Sequence, residues 1–271
     1  MSADQDVPWI SRGKLVLGMI HLQALPGTPY HRDGSFQEIL DTAVRSASSL
    51  EEGGADGCLI QTVDRVYSPG EKSDPARIAA LSLITRAVVE AVGPDFRVGA
   101  QLMRNAVRSS LAVVKVAGGC FTRVSALVGA TMSASGLVQA DPLAVMDYRR
   151  KIDAQNVKII AEVASMHFAW LGGGKSVSEV ASSARQAGAD AVSLCHPDDD
   201  TTMEMIAAVR AACPGLPIIL AGHTHHGNAA RLLGSPLGAD GAFVGTCLEM
   251  AGWGSAIDPD RVKSYVASIH E

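Results

Sequence analysis

Short apolar runs alternate along nearly the whole chain with stretches in which apolar positions recur every three or four residues. The runs read KLVLGMIHL (14–22), ADGCLIQT (55–62), FRVGAQL (96–102), CFTRVSAL (120–127), VKIIAEVA (157–164), ADAVSLCH (189–196), LPIILAGH (216–223) and DGAFVGTCL (240–248). Near-continuous hydrophobicity over such lengths predicts strands buried on both faces, as in a parallel sheet covered by helices. The segments between them predict helices. SFQEILDTAVRSASSLEEGG stops at Gly53-Gly54, and DPARIAALSLITRAVVEAVG, NAVRSSLAVVKVAGG, DPLAVMDYRRKI, SVSEVASSARQAGA and TTMEMIAAVRAACPG follow. Several begin with Ser, Asp, Asn or Thr at the N-cap and two carry Pro in the first turn. Residues 228–233 predict a short, weaker helix, and DPDRVKSYVASIHE ends the chain.

Eight strand–helix units in about 250 residues match the count and length of a (β/α)8 TIM barrel. The chain is therefore expected to be one α/β barrel domain, with residues 1–13 as an N-terminal extension. GGADG and AGADA recur at helix-to-strand junctions with no linker between halves, which argues against an open doubly wound sheet.

Composition narrows the partners. A net charge of −5 with no long Lys/Arg cluster excludes the basic footprint that nucleic acid or an anionic membrane requires. No apolar run reaches the ~18 residues of a spanning helix, and MSADQDVPWISRGK lacks the layout of a secretory signal. Five cysteines, odd in number and without CxxC spacing, read as reduced thiols of a cytoplasmic protein. The expected partner is a small-molecule substrate, with no nucleic acid and no membrane insertion; association into a homo-oligomer stays open.

In a TIM barrel the chemistry lies at the C-terminal strand ends. Six of the eight histidines fall there: His21 on the first strand, His167 after the fifth, His196 on the sixth, and His223, His225 and His226 after the seventh. That concentration marks the rim as a site. LAGHTHHGN (220–228) is its densest part, readable as a metal site, a phosphate cradle or a surface turn.

GMIHLQALPGTP (18–29), VGAQLMRNA (98–106), FTRVSALVGATMSASGLVQ (121–139), MDYRRKI (146–152), AEVASMH (161–167) and FVGTCLE (243–249) together resemble the BtpA/SgcQ family, which is named for a photosystem I biogenesis protein. The resemblance covers nearly the whole chain and implies a barrel. It implies a site role for His21, and substrates like those of the carbohydrate-utilisation or nucleoside-related clusters that some members resemble. This chain departs from the family at three places. Where the family reads A-D-V-H-V-K-H, Ala161 to His167 keep the acid as Glu162 and the last His but lose the middle His and the Lys. The family's GTS-L-K is here Gly245-Thr246-Cys247-Leu248-Glu249, and its GSGVT-like turn is Ala221-Gly222-His223-Thr224-His225. Two basic positions lost and three histidines gained imply an altered substrate or mechanism.

Several constellations follow from placement alone. Gly222, Gly245 and Thr246 lie after strands seven and eight, where barrels bind anions on backbone N–H groups; tight turns are the simpler account. Glu162, His167, His196, His223 and His225 form the candidate ligand set for a divalent metal, zinc or manganese, the one cofactor left open. The same set offers general acids and bases: His21, Glu162, His167, His196 and His223 are the catalytic candidates. Asp64, Gln101, Arg104, Asn105, Arg123 and Ser125 stand at strand ends as substrate-binding candidates, against caps, core polar pairs or an Arg123–Glu162 ion pair. The loops 63–74 and 128–140 are long enough to be lids. GGGK at 172–175 lacks Walker spacing. The reading is an enzyme acting on a sugar phosphate, nucleoside or related glycosyl compound, as a lyase, isomerase or hydrolase. Its alternatives are a metal-dependent hydrolase and a non-catalytic assembly factor.

Overall fold

The computed structural model describes residues 14–63, 67–252 and 254–270. Its strands and helices are β1 (Leu15–Leu22), α1 (Phe36–Glu52), β2 (Gly57–Thr62), α2 (Pro75–Ala91), β3 (Arg97–Gln101), α3 (Val107–Ala117), β4 (Phe121–Val124), β5 (Ala130–Ser133), β6 (Gly136–Gln139), α4 (Pro142–Lys151), β7 (Lys158–Ala164), α5 (Val177–Gln186), β8 (Ala191–Leu194), α6 (Asp199–Ala212), β9 (Ile218–Leu220), β10 (Gly241–Val244) and α7 (Pro259–Ser268). Eight parallel strands close in the order β1-β10-β9-β8-β7-β4-β3-β2, the expected barrel. First and last strands meet in register from Leu15 opposite Gly241 to Gly18 opposite Val244. The expected extension at 1–13 lies outside the described residues.

Local chemistry sets the element boundaries. Asp74, Asp141, Asp198 and Asp258 each accept a backbone N–H of the first helical turn, and Ser176 with Glu179 forms a full capping box. The recurring Gly-Ala-Asp junctions serve a second purpose. The carboxylates of Asp56, Asp190 and Asp240 accept the backbone N–H of Val16, Ile159 and Ile218 at 2.8, 2.9 and 2.8 Å. Each junction thereby pins the start of a neighbouring strand at the N-terminal end of the ring.

Alternation along the strands separates two apolar regions. Val16, Ile20, Ile60, Val98 and Ile159 point outward to the helices and pack with residues such as Leu50, Leu81 and Leu111. Leu17, Leu59, Phe121, Ile160, Ile219 and Phe243 fill the barrel interior. Gly99 leaves room there, since a Cβ in its place would stand 2.4 Å from the Phe121 ring. One step further toward the C-terminal ends the inward positions turn polar: Gln61, Gln101, Arg123, Glu162 and Ser193 are all buried. That polar layer is the floor of the site.

The segment 128–140, expected to be a lid loop, contains the antiparallel hairpin β5–β6, with Ala130 opposite Gln139 and Ser133 opposite Gly136. Two four-residue strands joined at Ala134-Ser135 are too short for a periodicity reading to register. The weak helix expected at 228–233 is a π-helical turn over Ala230–Gly234. Among the described residues no helix is long and apolar enough to cross a membrane.

Candidate active site

A cavity of about 540 Å³ opens at the C-terminal mouth of the barrel. Its floor is built by pairing polar residues that would otherwise be costly to bury. Gln61 donates to Gln101 at 2.8 Å, Gln101 to Ser125 Oγ at 3.4 Å, and Ser125 to the carbonyl of Arg104 at 2.9 Å. Beside this chain Arg123 Nη2 meets Glu162 Oε1 at 2.5 Å, with the side chains 5% and 2% exposed. The guanidinium also lies over the Phe243 ring at 5.1 Å and donates to the carbonyl of Ala221 at 3.4 Å. Arg123 is thus fixed at the cavity wall, with its Nε unpartnered among the described residues. Ser165 Oγ donates to Glu162 at 2.7 Å and accepts the N–H groups of His167 and Phe168, tying the loop after β7 to the ion pair.

Barrel closure creates a second pair. His21 ends the inward row of β1, and Glu249 follows β10, the strand that β1 meets. His21 Nδ1 donates to Glu249 Oε1 at 3.1 Å, and Glu249 is only 1% exposed. A buried carboxylate on Nδ1–H fixes the tautomer and leaves Nε2 as the basic nitrogen of a ring that lines the cavity. Glu249 is held by the Gly254 N–H at 3.1 Å as well, and among the described residues its Oε2 has no hydrogen-bond partner. This acid was missed in the sequence, where position 249 registered only as the loss of the family's Lys. The signal was available, because closing an eight-stranded ring puts the residues after the last strand beside the end of the first.

The LAGHTHHGN segment divides its three histidines. Gly222 (φ 143°) and His223 (φ 56°) both take positive φ, turning the chain so that His223 lines the cavity with a buried Nε2 that has no partner among the described residues. Asn228 holds that turn. Its Nδ2 donates to the carbonyl of His223 at 3.0 Å and to Asp199 at 2.9 Å, while its Oδ1 accepts the His225 N–H at 2.8 Å. Thr224 is locked to the Tyr265 hydroxyl at 2.6 Å. His225 lines the outer mouth but spends Nδ1 on the N–H of Gly227, and His226 bonds the carbonyl of Arg261. His223 thus presents a buried ring nitrogen to the cavity.

Two further groups complete the wall. Arg104 lies half-buried with its guanidinium 5.5 Å from the Tyr67 ring centre; among the described residues it has no carboxylate partner, and its Nε is buried without an acceptor. His167 sits at the lip. Although part of its ring reaches solvent, desolvation by the surrounding protein holds its pKa below the ordinary imidazole value. Arg123, Arg104 and His223 add to that shift, and Glu162 opposes it. That shift favours the neutral imidazole. Cys195 also lines the cavity, and burial raises its thiol pKa, which disfavours a thiolate.

Of the residues singled out in the sequence, His21, Arg104, Arg123, His167, Gly222, His223, His225, Gly245 and Thr246 line this one cavity. Glu162 stands just beneath it, behind Arg123. Gln101 and Ser125, expected to bind substrate, lie beneath the cavity rather than on its wall and are hydrogen-bonded within the floor. Asn105 is likewise structural, trading two 3.0 Å hydrogen bonds with the backbone of Ala126. His196 turns away: β8 ends at Leu194, Cys195 takes the inward position, and His196 is exposed with Nδ1 accepting the Asp198 N–H. Asp64 lies outside the described residues. The proposed metal set is not assembled. Among the described residues no three His, Cys, Asp or Glu side chains group to hold an ion, and Glu162 is engaged by Arg123 and Ser165.

Comparison with known proteins agrees with this architecture. The model of the BtpA family matches residues 12–271. The photosystem I biogenesis protein BtpA of Synechocystis is 27% identical over 259 residues, covering 94% of this chain and 88% of that protein. An uncharacterized protein of Archaeoglobus fulgidus is 29% identical over 259 residues, covering 93% and 97%. Among solved structures, tryptophan synthase of Mycobacterium tuberculosis superposes with a TM-score of 0.60 at 15% identity, covering 96% of this chain and 93% of that one. Orotidine 5'-phosphate decarboxylase of Pyrococcus horikoshii gives 0.56 at 14%, covering 94% and 100%. At such identities the shared property is the barrel fold.

Proposed function

The chain belongs to the BtpA family, and from that premise and the geometry of its mouth we propose that it is an enzyme acting on a small anionic substrate by histidine acid–base chemistry. The observation that carries this reading is the His21–Glu249 pair, an imidazole oriented by a buried carboxylate inside the cavity. In this scheme His21 Nε2 removes a proton from the substrate, and Glu249 stabilises the imidazolium that forms. Arg123 stabilises the negative charge that develops on a substrate oxygen, held rigid for that purpose by Glu162. The His21 imidazolium gives that proton back to the substrate at the end of the step, directly or through the neighbouring imidazoles of His167 and His223.

Backbone supports an anionic group on the far wall. Among the described residues the N–H groups of Gly222, His223, Gly245 and Thr246 donate no hydrogen bond, and all four residues line the cavity. Open amides beside a His donor suit a phosphate. Sugar phosphates and phosphorylated nucleosides therefore lead the substrate classes, and lyase or isomerase chemistry leads metal-assisted hydrolysis because among the described residues no metal set converges to activate water. A mouth in which ion pairs, imidazoles and open amides converge also favours an enzyme over an assembly factor.

The test is a proton NMR screen of phosphorylated sugars and nucleosides with the native chain and with His21→Gln. The expected result is conversion of at least one compound, lost by roughly 10²-fold or more in the variant while the compound still binds. Conversion unchanged in His21→Gln, or no conversion together with no binding of inorganic phosphate, overturns the reading.

A further inference from the structure

We infer that the substrate carries two acidic groups, one at each end, and that Arg104 is the seat of the second. The inference rests on the anionic-substrate reading above and adds where the molecule's far end goes.

The ring order supplies the geometry. β3 and β9 are four places apart in a closed ring of eight, so they stand on opposite sides of the barrel. Arg104 lies three residues past the end of β3, and His223 lies three residues past the end of β9. Both line the same cavity, so the lone guanidinium and the His223–amide wall face each other across one diameter of the mouth. β1 and β7 are also four places apart, which sets His21 and His167 across a second diameter, between the two anion seats. A molecule spanning from Arg104 to His223 lays its central atoms between the two imidazoles.

Charge accounting picks out Arg104. Arg123 is neutralised by Glu162, and Glu249 faces His21. Arg104 has no such partner among the described residues, yet it is half-buried, with a desolvated Nε lacking any acceptor. Tyr67 holds the guanidinium by its ring face, and Ser125 holds the backbone carbonyl, so the side chain is positioned without being satisfied. A planar fork of donors in that state matches a phosphate or carboxylate, which supplies acceptors in two directions. The second acidic group is defined by those anionic oxygens, whichever of the two it is.

The experiment is calorimetric titration with propyl phosphate, with a series of α,ω-alkane bisphosphates, and with ω-carboxyalkyl phosphates of the same lengths. One chain length of a two-headed series is expected to bind at least tenfold more tightly than propyl phosphate. Arg104→Gln should erase that gain and leave propyl phosphate within twofold of native, Arg104→Lys should keep part of it, and His223→Gln should weaken all three ligand types. A larger gain with bisphosphates makes the second group a phosphate, and a larger gain with the carboxyalkyl series makes it a carboxylate. Equal affinity of one-headed and two-headed ligands overturns the inference while leaving the anion wall standing, as does an Arg104→Gln that weakens both alike. If propyl phosphate and inorganic phosphate both fail to bind, the anion wall and this inference fall together.

Discussion

Removing Glu162 leaves a buried guanidinium with no counter-charge. The pair is 2.5 Å long, 5% and 2% exposed, and lies at the junction of the apolar barrel interior and the cavity. Breaking one side of a buried pair costs about 3–5 kcal/mol, because the remaining charge stays desolvated. Two details favour the lower end: Arg123 keeps the Ala221 carbonyl at 3.4 Å, and the cavity lets water approach it. Loss of the Ser165 hydrogen bond to the carboxylate adds about 1 kcal/mol. Glu162→Ala is therefore expected to cost about 4 kcal/mol. With a urea slope of about 3 kcal/mol per molar, the unfolding midpoint falls by about 1.3 M. Replacing both partners with apolar residues, Arg123→Met with Glu162→Leu, should recover most of the loss, since neither charge then remains buried. The native chain, Arg123→Met, Glu162→Leu and the double variant form a double-mutant cycle read by urea unfolding. A single-variant cost below about 1 kcal/mol, or a double variant as costly as the two singles summed, would refute the argument that this pair is electrostatically coupled and desolvated.

Two other predictions test the mouth. Asn228→Ala removes three hydrogen bonds from the turn that presents His223, so stability should drop by about 2–3 kcal/mol and phosphate affinity should fall in calorimetry; unchanged affinity in a destabilised variant would show that the turn does not present the anion wall. For His167 the folded pKa lies below the unfolded one, so the unfolded chain takes up the proton first. Stability is then lost as pH falls from about 6.5 down through the folded value, and His167→Gln should lose less stability than the native chain between about pH 7.5 and pH 5. Parallel pH dependences of the two urea midpoints would contradict the shift.

The barrel was legible because the signals behind it are repetitive. Eight apolar runs, aspartate caps and Gly-Ala-Asp junctions each announce the same unit, and short-range chemistry fixes them. The rim was legible only as a set of candidates, since position along the chain does not say which way a side chain turns once its strand has ended. Cys195 and His196 are adjacent, and the strand's parity gives the cavity to the cysteine. His223 and His225 are separated by one residue, yet the left-handed turn at Gly222-His223 buries the ring nitrogen of the first against the cavity, while the second bonds the N–H of Gly227 at the outer mouth. Gln101, Asn105 and Ser125 read as ligand-binding groups because they are polar at strand ends, while their hydrogen bonds show them holding up Arg104 and Ala126. Arg123 and Glu162 were readable as a structural pair because a charge inside a barrel needs one.

The pairing of β1 with β10 has a consequence for how the chain is made on the ribosome. β1 is complete at Leu22, but its second neighbour does not exist until Val244 has been synthesised. At about 5–20 residues per second that is a wait of roughly 11 to 44 seconds. During that interval β1 offers an unpaired row of backbone donors and acceptors, the kind of edge on which nascent chains join to one another. His21 waits with it, because Glu249 emerges later still, and the Tyr265 that fastens Thr224 comes last of the three. The mouth is therefore the last part of the barrel to be assembled, and a chain halted before β10 holds seven of the eight barrel strands without the Glu249 that pairs with His21.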